Sequence, residues 1–350
     1  MNVLSVAFPL FPVGPDSAGG AEQVLYLLER GLTAAGHRPF VIAAAGSRVS
    51  GTCIETCVPQ GEITDEVRQN VQRGHAQAID RTLHRFPIDL IHFHGLDFDH
   101  YVPDTDIPML ATLHLPPPWY AANIFEQTRV QLNCVSESQA RSVRTATKLP
   151  VISNGIDITR YAGTARDPDG LLVLGRICPE KGVHTALRIA HRLDLPLMVA
   201  GPVHPFEYHQ RYFSESITPL LDWKRRYLGA VGVEEKIRLL ASARCVLIAS
   251  SAPETSSLVA MEAMASGTPV VAFGAGALPE IVSNGETGFI VDSEDQMADA
   301  VARVHEISPD TCRSRARDNF DCSRMVREYL ALYHETVTRA TPHESRSRVI

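Results

Sequence analysis

Four charged side chains in the second half of this chain have the types and spacing to grip a phosphorylated ligand: Arg176, Lys181, Glu254 and Glu262. The segment Gly175-Arg176-Ile177-Cys178-Pro179-Glu180-Lys181-Gly182 sets a guanidinium and an ammonium on one short loop. A bidentate fork and a mobile point charge can converge on a diphosphate and stabilise the negative charge that develops as a sugar–phosphate bond breaks. The competing reading is two solvated surface cations. Glu262 lies in the run Leu258-Val259-Ala260-Met261-Glu262-Ala263-Met264-Ala265-Ser266-Gly267, where Leu258, Val259 and Ala265 are its helical neighbours. An isolated carboxylate on a face that reads as buried is costly without donors. The vicinal hydroxyls of a ribose would supply them; a partly exposed Glu on a short helix is the alternative. Glu254 precedes that helix, and the free N–H groups of Ser256, Ser257 and Leu258 at its start favour an anion nearby, with Thr255 or Ser256 as a cap.

The first half holds weaker signals. Gly19-Gly20 ends a loop that follows an apolar strand and leads into a helix, so backbone N–H groups there can approach a phosphate closely. His114 ends the strand-like Leu110-Ala111-Thr112-Leu113 and precedes Leu115-Pro116-Pro117-Pro118, which turns the chain out of the sheet and sets the imidazole at the rim. His92 and His94 compete with it for notice. Cys53 and Cys57 lack a second Cys/His pair to complete a metal site. The Asp-x-Asp spacings at Asp97/Asp99, Asp104/Asp106 and Asp167/Asp169 read as turns and solvated edges.

These residues need elements to carry them. Short Val/Ile/Leu-rich runs alternate with longer helical patterns, the mark of parallel sheets wrapped by crossover helices, so the fold class is α/β. Strands are expected near 2–8, 39–44, 88–92, 109–113, 131–135 and 150–152, with helices near 21–35, 64–85 and 137–146. Residues 154–170 are rich in Gly, Pro and Asp and lack a period. A second set of strands is expected near 171–175, 196–200, 226–229, 245–249, 269–273 and 288–291, with helices such as 182–193, 232–243 and 257–266. The division is therefore a first domain over 1–156, a linker over 157–170 and a second domain over 171–322. A last helix near 323–338 carries Met325, Tyr329, Leu332 and Tyr333 on one face, and the tail from Ala340 is polar.

Composition narrows the partners. A length of 350 residues suits two cores, and a formal charge of −7 provides no field to hold a nucleic acid or an anionic membrane. No apolar stretch reaches the roughly 20 residues of a membrane span, and the start lacks a basic leader, so a cytoplasmic protein without a stable membrane anchor is expected. Seven cysteines with no CxxC pair argue against a disulfide framework.

Taken together, the residues resemble a family 4 glycosyltransferase of the GT-B class. Glu254 and Glu262 stand as the family's E-x7-E pair, continued by Gly267-Thr268-Pro269-Val270-Val271-Ala272, Pro279-Glu280-Ile281-Val282 and Gly285-Glu286-Thr287-Gly288-Phe289. Gly175-Arg176 with Lys181-Gly182, and Ile152-Ser153-Asn154-Gly155-Ile156-Asp157, are further matches; Gly19-Gly20-Ala21-Glu22 and Thr112-Leu113-His114 match more weakly. The resemblance implies two Rossmann-like domains facing across a cleft, with the helix at 323–340 crossing back onto the first. It also implies transfer of a sugar, with retained anomeric configuration, from a UDP-, GDP- or ADP-linked donor to a hydroxyl acceptor: a sugar, a lipid-linked glycan or a small molecule. No cofactor and no obligatory metal is implied, the Arg176/Lys181 pair supplying the positive charge. By the same resemblance Arg176 and Lys181 hold the diphosphate, Glu262 the ribose and Glu254 the hydroxyls of the sugar. Leu228 and Gly229 line the base, Gly19 and Gly20 come near the diphosphate, and His114 stands near the reacting carbon. Many members carry Phe-Gly where this chain has Ser256-Ser257, which bears on the shape around the donor sugar.

Three other readings compete. A dehydrogenase would need G-x-G-x-x-G, which Gly274-Ala275-Gly276-Ala277-Leu278-Pro279 fails at its third glycine. A glycoside hydrolase would use Glu254 and Glu262 as paired carboxylates. A noncatalytic nucleotide-sugar-binding protein would keep the donor site alone.

Overall fold

A computed structural model describes residues 1–17, 19–58, 64–145, 147–161 and 169–340. The expected polar tail beyond Ala340 and residues 162–168, half of the expected linker and including Asp167, lie outside the described residues. The chain forms two compact units, one of residues 1–135, 142–152 and 325–350, the other of residues 136–141 and 153–324.

In the first unit the elements run β1 (Asn2–Val6), α1 (Gly20–Ala34), β2 (Arg38–Ala44), β3 (Thr52–Thr56), α2 (Asp65–Arg85), β4 (Leu90–Phe93), β5 (Met109–Leu113) and β6 (Val130–Cys134). All pairings are parallel, in the order β3-β2-β1-β4-β5-β6. β1, β2, β4 and β5 are buried almost throughout, which is why they read as continuous apolar runs. α1 turns Val24, Leu25, Leu28 and Leu32 inward at helical spacing. β3 escapes the sequence pattern because Thr-Cys-Ile-Glu-Thr is a half-exposed edge strand and needs no apolar face. The strand expected at 150–152 is a single bridge between Val151 and Cys134.

α3 (Glu137–Ser142) is shorter than expected: beyond it the Thr145 hydroxyl donates to the Thr147 carbonyl, a local bond that competes with the helix.

The second unit continues with β7 (Leu171–Leu174), α4 (Val183–Arg192), β8 (Leu197–Ala200), α5 (Glu207–Tyr212), β9 (Arg225–Tyr227), α6 (Val233–Ser242), β10 (Cys245–Ile248) and α7 (Leu258–Ala265). β11 (Val270–Phe273), α8 (Leu278–Ile281), β12 (Gly288–Val291), α9 (Glu294–Arg303) and α10 (Pro309–Phe320) complete it. Its sheet is again parallel, in the order β12-β11-β10-β7-β8-β9. Counted from each unit's first strand, both sheets have the doubly wound 3-2-1-4-5-6 order, so β7 and β10 flank the point where the winding reverses. Ile156 and Tyr161 already pack in this unit's core.

The last helix, α11 (Cys322–Ala340), buries Met325, Tyr329, Leu332 and Tyr333, the face its spacing predicts. Within the first unit the Tyr333 hydroxyl lies 2.7 Å from His92 Nδ1 and the Tyr329 hydroxyl 3.0 Å from Thr112 Oγ1. No helix among the described residues is long and apolar enough to cross a membrane.

Candidate donor site

The loops that follow β7 and β10 carry Arg176, Lys181 and Glu254, so three of the four charged candidates stand at the carboxyl ends of two neighbouring strands. Ligands of open parallel sheets bind at such a switch point. The two loops are stitched together by backbone: Ser251 N–H donates to the Glu180 carbonyl at 2.9 Å. Gly182, which opens α4 with φ of 61°, sits so close that a Cβ there would fall 2.0 Å from the Ala249 carbonyl oxygen. Only glycine permits both that turn and that approach.

Lys181 Nζ donates to Glu254 Oε1 at 2.6 Å, and the Ser250 hydroxyl donates to the same oxygen. Glu254 is held from behind as well, since its carbonyl accepts from Ala277 N–H at 2.7 Å. Arg176 is half-buried and makes no ion pair among the described residues, so its guanidinium remains free of a carboxylate. The loop thus presents one uncommitted cation and one held by an acid.

α7 begins with Ser257 as its cap, whose side chain accepts from Ala260 N–H at 3.3 Å; the cap was expected at Thr255 or Ser256. Ser256 Oγ is buried and has no hydrogen-bond partner among the described residues. One turn into the helix Glu262 is 3 % exposed, as its apolar neighbours implied. It is not isolated, however. The Tyr161 hydroxyl donates to Glu262 Oε1 at 2.8 Å, and Lys236 Nζ from α6 forms an ion pair with the same oxygen. Burial, reinforced by this carboxylate, pushes the Tyr161 hydroxyl above its ordinary range, so it stays a donor. The inference that Glu262 lacks donors unless a ribose provides them is therefore corrected: the chain supplies two. Neither partner was legible in the sequence, because Tyr161 is 101 residues away and Lys236 is one of several charges on its helix.

Beyond β9, Leu228 is exposed and Gly229 has φ of 76°. The Gly229 carbonyl accepts from Gly201 N–H at 2.8 Å, and a Cβ on Gly201 would meet the Gly175 carbonyl oxygen at 1.8 Å. These three glycines let the ends of β7, β8 and β9 approach closely beside Arg176.

The first unit's candidates behave differently. Gly19 caps α1, and a Cβ on it would fall 1.9 Å from Glu22 Oε2, so the helix's own carboxylate already lies against Gly19. His114 directly follows the end of β5, as expected, but is buried there: its ring stacks on His94, with Nε2 3.0 Å from His94 Nδ1. Burial lowers it to about 4, and it holds His92 and His94 well below the usual imidazole range. The prolines turn the chain as expected, but Tyr120 folds back and its hydroxyl accepts from Leu115 N–H at 3.2 Å. Asp97 accepts from the Tyr101 hydroxyl at 3.0 Å, and Asp104 pairs with Arg129 at 2.7 Å. Both acids are engaged in local structure.

Residues 18–160 match the model of "Glycosyltransferase Family 4", and residues 160–319 that of "Glycosyl transferases group 1". A glycogen synthase of Mycobacterium tuberculosis is 26 % identical over 94 % of this chain and 91 % of its own. AviGT4, a glycosyltransferase involved in avilamycin A biosynthesis, has a solved structure with a TM-score of 0.75 at 25 % identity, covering 96 % of this chain and 98 % of its own. HepE of Anabaena, solved in complex with UDP-glucose, superposes with a TM-score of 0.73 at 19 % identity over 97 % of this chain and 100 % of its own, a likeness of fold.

Proposed function

The chain belongs to glycosyltransferase family 4, with the GT-B fold, and from that premise we propose that it is a retaining enzyme that transfers a sugar from a nucleoside-diphosphate donor held by its second unit. The observation that carries this reading is the pairing of the β7 and β10 loops. They bring a carboxylate-free Arg176 and a Lys181–Glu254 pair to the switch point of one sheet, with Glu262 one turn into the adjoining helix.

In this reading the Arg176 guanidinium and the Lys181 ammonium bind the diphosphate, and the free N–H groups at the start of α7, around Ser256, Ser257 and Leu258, add partial positive charge. Glu262 already has two donors on one oxygen, so its remaining acceptor capacity faces the ribose hydroxyls. Glu254, with one oxygen occupied by Lys181 and Ser250, offers the other to the hydroxyls of the transferred sugar. Leu228 contributes exposed apolar surface for the base beside Gly229. By the family resemblance Gly19 and Gly20 belong with the diphosphate, and His114 with the reacting carbon on the acceptor side. As a neutral imidazole it acts as a hydrogen-bonding group and not as a fixed cation.

The acceptor oxygen attacks the anomeric carbon on the face from which the phosphate departs. The carbon–oxygen bond to the diphosphate breaks as the new glycosidic bond forms, and the acceptor proton passes to the departing phosphate oxygen. The cation pair stabilises the charge released, so the step calls for no catalytic metal.

The test is a panel of UDP-, GDP- and ADP-sugars with sugar, lipid-linked and small-molecule acceptors. Products are identified by mass spectrometry, and the anomeric configuration by proton NMR before mutarotation. Acceptor-dependent transfer with retained configuration is expected. Dominant acceptor-independent hydrolysis would overturn it, and tight donor binding without turnover across the panel would favour a noncatalytic sugar-nucleotide binder.

A further inference from the structure

Next to Arg176, on the same loop, a second group of side chains has no part in donor binding. Cys178 Sγ, a Glu180 carboxylate oxygen and a His209 ring nitrogen all lie within 4.8 Å of one another. Two come from the loop after β7 and the third from α5, which is fixed to the core by Tyr212; that hydroxyl accepts from His184 N–H at 3.2 Å.

His209 is 1 % exposed, and neither of its ring nitrogens has a hydrogen-bond partner among the described residues. A buried imidazole with both nitrogens idle costs free energy that a packed aromatic would not. Cys178 is 2 % exposed; its thiol meets the Glu180 side chain and, at a distant 3.8 Å, the Arg176 carbonyl. Around His209 stand the rings of Tyr208 and Phe206, with centroids 4.2 Å and 5.4 Å away, and that of His204 at 6.0 Å.

We infer that Cys178, Glu180 and His209 form a zinc site that staples the β7 loop to α5. A thiolate, an imidazole and a carboxylate are the ligand types that a borderline-soft divalent ion takes, and the set matches Zn²⁺ in charge: two anions and a neutral ring balance the ion. Tetrahedral zinc with bonds of about 2.0–2.3 Å holds its ligand atoms roughly 3.3–3.8 Å apart, so the three groups must close by about 1 Å, within the reach of side-chain rotation. Water or His204 completes the fourth position. Burial, with Glu180 beside it, pushes the Cys178 thiol up to about 11, so without an ion it stays protonated, and zinc binding releases that proton to solvent. The ion is structural: it would hold the loop that carries Arg176 and Lys181, a consequence that rests on the donor-site reading, whereas metal binding itself does not.

The full-length chain, stripped of metal and kept reduced, is titrated with Co²⁺ and then with Zn²⁺. One equivalent of Co²⁺ should bring a near-ultraviolet sulfur-to-cobalt band together with tetrahedral visible bands, and Zn²⁺ should abolish both. Cys178→Ser should remove the sulfur band, and His209→Ala should weaken Zn²⁺ binding by at least ~100-fold, beyond the range for loss of an outer-shell partner. Glu180 is half-exposed, so Glu180→Gln folds readily and tests the site if the buried variants do not; it should weaken Zn²⁺ binding by at least ~10-fold. The double variant Cys53→Ser/Cys57→Ser should keep the sulfur band. No sulfur band in the parent chain, a band that survives Cys178→Ser, or unchanged Zn²⁺ affinity in Glu180→Gln would overturn the site, whatever the chain's transferase activity.

Discussion

Removing the Lys181 ammonium should harm diphosphate binding twice, and the second effect is separable. The direct loss is one charge-assisted hydrogen bond, about 1.5–3 kcal/mol. The indirect loss arises because Lys181 neutralises Glu254 at 2.6 Å, and without it an unpaired carboxylate faces the incoming anion. At that separation Coulomb's law gives about 1.6 kcal/mol in bulk water and about four times as much at an effective dielectric of 20. Desolvation offsets most of the larger figure, and Lys181 is 29 % exposed, so a coupling of about 1–2 kcal/mol between the two residues is expected. The assay is calorimetric titration of a nucleoside diphosphate into the parent chain, Lys181→Ala, Glu254→Gln and the double variant. Lys181→Ala should lose about 60- to 4000-fold in affinity, the two effects together at tenfold per 1.4 kcal/mol. Adding Glu254→Gln should recover roughly 5- to 30-fold, whereas Arg176→Ala, which frees no carboxylate, should not be rescued by it. Lys181→Ala with parent affinity, or strict additivity of the two changes, would refute the reasoning.

Two further outcomes follow from buried polar groups. Lys236→Met leaves Glu262 buried with a single donor and should destabilise the second unit by about 2–4 kcal/mol, with much of the loss recovered by adding Glu262→Gln; urea unfolding of the single and double variants checks this, and equal midpoints for parent and Lys236→Met would contradict it. His114 is lowered from 6.5 to about 4, so the unfolded chain takes up the proton first. Stability is then complete above pH 6.5 and falls as pH drops towards 4, by about 2 kcal/mol at pH 5 and about 3 kcal/mol at pH 4 for this residue alone. His75, also lowered to about 4 by burial, adds in the same direction. An unfolding midpoint unchanged between pH 7 and pH 5 would show that these rings are not buried as neutral groups.

The sequence by itself determined the α/β class, most of the strands, and the choice of Arg176, Lys181, Glu254 and Glu262 as candidates. Those features are local: a strand buried on both faces is a continuous apolar run, and a loop that must turn sharply beneath a backbone oxygen must hold a glycine such as Gly182. An edge strand such as β3, with little apolar burial to announce it, stayed silent. Tertiary structure alone decided which charges meet. Lys181 finds Glu254 across 73 residues because the sheet order makes β7 and β10 neighbours, and Tyr161 and Lys236 converge on Glu262 from two other segments. It also packed the His114 ring against His94, a contact that the proline turn, which set the imidazole at the rim, does not announce. A side chain's type is written in the chain, but its electrostatic partners depend on strand order and burial, which no local spacing encodes.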